Sequence, residues 1–263
     1  MDRLATLRGS TDDLRRLVRE TSLTADVRDP FYRVVRLSVS AGGLEATTPT
    51  GGHGPTFHAR YDAAAFDSLS APDEPFLAAL GTEATLRWLD WFEDGTVTAT
   101  FRGDAEQRVA RAIELENGDD CVEVGPLPSD TVDPDLSTGR PECFEDRAFV
   151  HDGAPAPTRV ETTGETLERL VEATDIVGSE SVPVVVADEQ FRLAVVGDTM
   201  RGRGALPATV SGPDCENRYG EGLAAIARVC SGPVTLQVVP GGPLAVVQDE
   251  ADARKRYVLT QSM

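Results

Sequence analysis

Lysine is almost missing from this chain. Of its 25 basic residues only Lys255 is a lysine, and 44 acidic residues stand against them, for a formal net charge of −19. Carboxylates hold water and cations at a surface, whereas the long apolar stem of Lys does not. The composition therefore reads as adaptation to a high-salt interior; the plainer alternative is an acidic protein of a GC-rich mesophile, which would also prefer Arg. Histidine is scarce, with three residues, which leaves little material for proton transfer near neutral pH. The cysteines, Cys121, Cys143, Cys215 and Cys230, are far apart and show no C-x-x-C or other metal-ligand spacing. That excludes a thiolate zinc site and fits free thiols in a reducing cytoplasm. No apolar run approaches the roughly 18 residues needed to cross a bilayer. Met1–Ser10 is polar and carries Arg3 and Arg8, so no signal peptide is read there. The expectation is a cytoplasmic chain with no membrane partner.

Enzymatic patterns are also sparse. Carboxylate pairs abound, but in so acidic a chain a solvated surface explains them. His53 and His58 lie near a Gly-rich loop and would need Cys143 or His151 to complete a metal site; plain surface histidines are the simpler reading. Gly197–Gly204 resembles a phosphate loop without the Lys that reaches the phosphates. No Gly-x-Ser-x-Gly elbow is present. No catalytic residue, metal or cofactor is expected.

What the chain does have is an internal repeat across its 263 residues, 40% of them hydrophobic. Ser10-Thr11-Asp12-Asp13 precedes Leu14, Leu17 and Val18, and Thr163-Gly164-Glu165-Thr166 precedes Leu167, Leu170 and Val171. Both read as capped helices with an apolar stripe at i, i+3, i+4. A hairpin pattern follows each, Phe31–Ser40 returning through Leu44–Thr48 and Val182–Ala187 returning through Phe191–Val196. Arg60–Phe66 matches Arg218–Ile226; the second reads as a helix, and the first fits helix or strand equally. Thr85–Leu89 parallels Thr235–Val239 as a strand that would put Trp88 and Trp91 on opposite faces. Arg108–Ile113 parallels Arg256–Thr260. Repetition in one order predicts a duplication, with domains at 1–116 and 158–263. Between them 117–157 is dense in Pro and Asp, which predicts a surface linker with a short strand at Ala148–His151.

These residues resemble the archaeal and eukaryotic sliding clamps of the PCNA family. Gly43–Pro49 is similar to the family's GL-x-(I/R)-A-x-D-P hairpin, and Asp62–Ser68 to a strand end of haloarchaeal clamps. Arg218-Tyr219-Gly220, Val234–Val238 and Tyr257–Thr260 look like its YG-x-x-(Y/L)-L, V-x-L-x-(F/V) and Y-Y-L-A-P elements. The resemblance covers most of 3–115 and 158–261. It implies an α+β fold of two tandem copies of a clamp-like unit, curved antiparallel sheets with helices on one face. It implies a non-catalytic replication and repair processivity factor that forms a homotrimer, encircles DNA without sequence preference and docks DNA polymerase and other PIP-type peptides. By that analogy Arg15, Arg16, Arg19, Arg169, Arg218 and Arg228 face DNA. Thr47, Val122, Leu127, Val258, Leu259 and Thr260 line the peptide groove. Arg108, Val109, Arg111 and Ile113 of one subunit meet Arg203 and Leu206 of the next, through strands Arg108–Glu114 and Gly202–Thr209. The chain departs from the pattern at Thr48, where Asp is usual, at Gln261, where Pro is usual, between Ser70 and Leu86, and in its long linker. Glu165, Glu168 and Glu172 on the second repeat's helix also depart from the basic inner helices of clamps. They favour an alternative, a clamp-fold paralogue that forms no ring and serves as an interaction module.

The charge makes one prediction on its own. At −19 the folded chain repels itself, and salt screens that repulsion as the Debye length shrinks to about 3 Å at 1 M. Melting temperature is expected to rise steeply from low salt to molar KCl; a flat profile in calorimetry would refute the salt-adaptation reading.

Overall fold

The computed structural model describes residues 1–21, 34–47, 56–92, 94–125, 144–145 and 147–261. The chain folds as two compact units: Met1–Thr50, Phe57–Gly139 and Glu250–Arg254 in the first, and Gly51–Thr56, Arg140–Asp249 and Lys255–Met263 in the second. Among the described residues no helix is long and apolar enough to cross a membrane.

The first unit runs β1 (Asp2–Ser10), α1 (Thr11–Thr21), β2 (Val34–Ser40), β3 (Gly43–Thr47), β4 (Thr56–Asp62), a 3₁₀ turn (Ala63–Ala65), β5 (Ser68–Ser70), β6 (Phe76–Gly81), α2 (Thr82–Trp91), β7 (Thr96–Asp104), β8 (Val109–Asn117) and β9 (Asp120–Val124). The sequence sets α1 at both ends. The Ser10 hydroxyl accepts from the Asp13 N–H at 3.0 Å, satisfying one orphan donor of the first turn, and donates to the Asp13 carboxylate at 2.5 Å. Asp12 and Asp13 at the start and Arg19 near the end suit the helix dipole. Leu14, Leu17 and Val18 are buried on its inner stripe. At the far end of α1 the buried Glu20 accepts from the Tyr61 hydroxyl at 2.9 Å. Burial and that carboxylate push the Tyr61 hydroxyl well above its ordinary pKa, so it stays a donor.

The second unit begins with a ribbon, β10 (Phe144–Glu145), β11 (Ala148–His151) and β12 (Ala154–Pro155). It continues as β13 (Thr158–Thr163), α3 (Gly164–Ile176), β14 (Val182–Ala187), β15 (Gln190–Val196), β16 (Arg201–Ala205), β17 (Thr209–Ser211), β18 (Cys215–Tyr219), α4 (Glu221–Ala227), β19 (Pro233–Val238) and β20 (Leu244–Asp249). The last strand is β21 (Ala253–Leu259). Thr163 caps α3 by accepting from the Thr166 N–H, and Leu167, Leu170 and Val171 are buried. The short β11 falls where the sequence places it.

Strand pairing recurs between the units. β1 pairs β5 and β7, as β13 pairs β17 and β19. β2 pairs β3 and β6, as β14 pairs β15 and β18. β3 pairs β4 as β15 pairs β16, and β7 pairs β8 as β19 pairs β20. This pattern corrects three of the sequence matches. Arg60 and Tyr61 lie on β4, whose counterpart is β16; Arg218 and Tyr219 lie on β18, the counterpart of β6, and the helix expected to open with them starts only at Glu221. Thr85–Leu89 is helical. Thr82, Thr85 and Leu89 are its buried residues, a 3.6-residue period, and Trp88 and Trp91 are both exposed rather than split between two faces. Arg108–Ile113 enters β8, whose counterpart is β20 and not Arg256–Thr260. Asp120–Val124, which composition assigns to the linker, is a strand.

The ribbon is held by one side chain. Gln237, buried on β19, donates from Nε2 to the Arg147 carbonyl and accepts at Oε1 from the Phe149 N–H, both at 2.7 Å. Gln237→Leu leaves both backbone groups without partners and is expected to lower stability by about 1–3 kcal/mol. Hydrogen exchange at the Phe149 amide should accelerate; unchanged exchange there would show that Gln237 does not pin the ribbon.

Candidate functional site

The six arginines expected to face DNA differ in their freedom. Arg15 is tied down: its guanidinium donates to the Leu89 carbonyl at 2.6 Å and sits 3.0 Å from Asp12 and 3.1 Å from Asp90. Only 13% of its side chain is exposed, so it braces α1 against α2. Arg16 pairs with Asp13 at 3.2 Å and Arg19 with Asp90 at 3.7 Å. Arg228 reaches Asp175 at 3.8 Å. Arg218 lies on a strand, with Glu216 at 3.9 Å. Arg169 is exposed on α3. On that helix Glu165 is engaged with the fold, accepting from the Gly232 N–H. The Thr163 hydroxyl and backbone N–H groups hold it below the usual carboxylate range. It caps the helix start, whereas Glu168 and Glu172 do not share that role.

The expected peptide groove is placed only in part. Val258 is half-buried and Thr260 exposed, but Leu259 between them is buried, because side chains alternate along β21. Thr47 is buried and Val122 is half-buried on β9. Leu259 and Thr47 therefore serve the core rather than an open surface. Leu127 lies outside the described residues. Of the weighed metal ligands, His53 and Cys143 also lie outside them. His58 is on β4, and His151 stacks on Phe149 with centroids 6.4 Å apart.

The expected subunit seam needs the clearest correction. β8 pairs with β7 on one side; on the other, β9 covers Ile113 to Asn117 and Val109 meets Leu77 of β6, so only a short stretch around Arg111 of the expected edge is left open. Val109 and Ile113 are core, Arg111 reaches Gln107, and Arg108 in the preceding turn pairs with Glu74. Among the described residues of this unit, β9 is a longer open edge than the three-residue β5, and it pairs only with β8. In the second unit β16 ends a four-stranded sheet. Arg203 is exposed on it, and Leu206 just beyond is buried.

These edges carry opposite charge. β9 reads Asp120-Cys121-Val122-Glu123-Val124, and β16 reads Arg201-Gly202-Arg203-Gly204-Ala205. Behind β9 the carboxylates accumulate: Glu123 is directly opposite Glu114, and Cys121 opposite Glu116. Like charges directly across a ladder are unfavourable. Arg102 offsets one of them, gripping Glu114 through Nε at 2.8 Å and a terminal nitrogen at 3.1 Å. That bond holds Glu114 below the usual carboxylate range. Desolvation, then the charges of Glu114 and Glu116, push the Cys121 thiol up. Glu114, Glu116 and Cys121 bring potential ligand atoms within 4.8 Å of one another.

The other end of the four-stranded sheet, β18, is tied to a neighbouring turn through a side chain. On β18, Asn217 Nδ2 donates to the Val239 and Gly242 carbonyls at 2.8 and 3.1 Å, and its Oδ1 accepts from the Gly241 N–H at 3.0 Å. β5 and β17, each paired on one side only, have three residues each; short edges resist pairing.

No family model matches the chain, and no curated protein matches it. Solved structures do. The PCNA of A. fulgidus, crystallised with the C-terminal region of FEN-1, aligns at TM-score 0.74 and 12% identity over 99% of both chains. PCNA from Entamoeba histolytica aligns at TM-score 0.74 and 9% identity over 100% of both. That from Thermococcus kodakaraensis aligns at 0.72 and 16% over 98% of this chain and 100% of the other. Along its whole length the chain thus has the fold of the PCNA sliding clamps.

Proposed function

We propose that the chain is a sliding-clamp-like processivity factor for DNA replication or repair, a non-catalytic scaffold whose copies close into a ring around DNA and dock partner peptides. The observation that carries this reading is the pair of open edges, β9 and β16, of opposite charge on a clamp fold. An edge of one kind on each unit joins copies head to tail, and head-to-tail contacts generate rings when the rotation closes. Three copies are the expected number by likeness to the clamps. The seam is placed on β9 rather than on Arg108–Glu114. The recurring strand pairing supports a duplication whose first copy runs through β9 instead of ending at residue 116.

This placement reverses the electrostatics. Arg108, Arg111 and Arg203 would have met as like charges, whereas Asp120 and Glu123 meet Arg201 and Arg203 as opposite ones. Exposed pairs of this kind contribute about 0–1 kcal/mol each and weaken with salt, so they favour the correct partner and register more than they hold it. DNA is encircled rather than gripped, since Arg15, Arg16, Arg19 and Arg228 are already paired with carboxylates. That neutralisation also favours the second reading, an interaction module without a ring.

Light scattering decides between them. The wild type is expected near three times 28.1 kDa. At the lowest salt at which the wild type assembles, Asp120→Arg with Glu123→Arg should shift the chain toward folded single copies, and adding Arg201→Glu with Arg203→Glu in the same chain should restore the assembly. A wild type of one-subunit mass at all salt concentrations would exclude the encircling clamp. Partner docking is tested separately: a PIP-type peptide with an aromatic pair should bind, and Val258→Asp, at a half-buried position, should abolish binding without unfolding. Full binding by that variant would move the groove away from β21.

A further inference from the structure

Six large apolar side chains stand exposed among the described residues: Met1, Trp88, Trp91, Ile176, Val196 and Met200. Apart from the terminal Met1, they lie beside the two open edges. Trp88 and Trp91 project from α2, their rings edge to face at 5.6 Å, and are 38% and 56% exposed. The end of α2 adjoins the start of β9. The Phe92 carbonyl accepts from the side chain of Asn117, the residue paired with Asp120. In the other unit Val196 is paired with Arg201, the first residue of β16. Met200 is in the turn between them, held by the Gly197 N–H on its carbonyl at 2.9 Å. Gly197 presses so closely on the Val177 carbonyl that a Cβ there would overlap it, which places the end of α3, and Ile176, against the same turn. An aromatic pair thus flanks the acidic edge and an aliphatic patch flanks the basic one.

We infer that Trp88 and Trp91 of one copy pack against Ile176, Val196 and Met200 of a second copy, forming an apolar lock beside the charged strand pair. This inference rests on the head-to-tail reading and names what holds that contact together. The occupant is argued from continuity with the two edges and from their charge complementarity. Charges steer and select partners, but molar salt screens them. Burial of apolar surface does not fade in that way, and buried Trp side chains are prominent among the residues that dominate interfaces. The lock therefore carries the affinity at high salt, and the strands set the register.

The chain's only tryptophans are Trp88 and Trp91, so intrinsic emission reads the patch directly. In molar KCl, emission of the full-length chain is expected to shift blue and to lose acrylamide quenching in step with the rise in mass by light scattering. Trp91→Ala and Met200→Asp, both at exposed positions, should each keep the circular dichroism of the wild type and weaken association at least tenfold. Mixed together, they should form pairs and nothing larger. The Met200→Asp chain supplies intact tryptophans to the intact Met200 patch of the other chain, while the remaining seam is doubly broken. If mass triples with quenching unchanged, the lock is refuted and the ring reading stands. If added duplex DNA, rather than assembly, protects the tryptophans, the patch is a DNA contact and the lock is likewise refuted. Full association by Met200→Asp alone would point to a tryptophan-to-tryptophan contact and refute it too. A wild type that stays single at every concentration and salt would remove the ring reading and the lock together.

Discussion

A strand at the end of a sheet leaves a row of N–H and C=O groups open to pairing, and the described edge strands of this molecule differ in how far they invite it. β5 and β17 are cut to three residues. β18 is tied through Asn217 to the turn at Val239–Gly242. β6 meets β8 in a single parallel pair, Leu77 with Val109, supported by the Leu77 N–H on the Arg108 carbonyl at 2.9 Å. β9 and β16 receive none of these treatments. Each has five residues, no proline and a charge opposite to the other's. The usual protections against edge pairing are absent where the two strands are best suited to pair with each other.

Electrostatics follow the same division. The chain is strongly acidic, and most of its described helix arginines have a carboxylate beside them. Arg15 shows why: with so many carboxylates available, a guanidinium beside α2 finds Asp12, Asp90 and a backbone carbonyl before it can serve a ligand. Bidentate geometry does the same for Arg102 and Glu114. Arg201 and Arg203 lie on a strand that is largely exposed and rich in glycine, with no acidic residue of its own.

Much of the fold is legible in the sequence because it is locally encoded. The caps at Ser10 and Thr163, the stripes Leu14–Leu17–Val18 and Leu167–Leu170–Val171, and the hairpins closing at Gly43 and Gln190 are all written within a few residues. α2 is not, because Thr85, Leu86 and Trp88 fit a strand pattern as readily, and tertiary burial of Thr82, Thr85 and Leu89 decides for the helix. The Arg-Tyr match fails for another reason: a dipeptide recurs by chance, and only strand pairing shows that Arg60 and Arg218 occupy different places. The proposed seam lies one strand beyond the one read from the sequence because edge status is not a local property. Nothing within Arg108–Glu114 says that it will acquire a neighbour at Asp120–Val124; the Gly118 turn that makes this hairpin, with φ 61°, sits where composition marks the start of a linker. For Leu259 and Thr47 the sequence does not say which face of their strands the core will take.

Affinity and processivity separate in a clamp, and that separation makes the neutralised helices intelligible. A protein held on DNA by phosphate contacts loses affinity with salt as a power set by the number of ions released, so in molar salt such contacts contribute little. A closed ring is retained by topology instead, whatever the charge of its inner surface. Its persistence then depends on how rarely a seam opens. If the chain works in high salt as the proposed ring, the pressure falls on the subunit contact rather than on the arginines proposed to face DNA. Apolar packing outlasts ion pairs as salt rises, and on the proposed reading that is the use of two exposed tryptophans beside an edge strand in so acidic a chain.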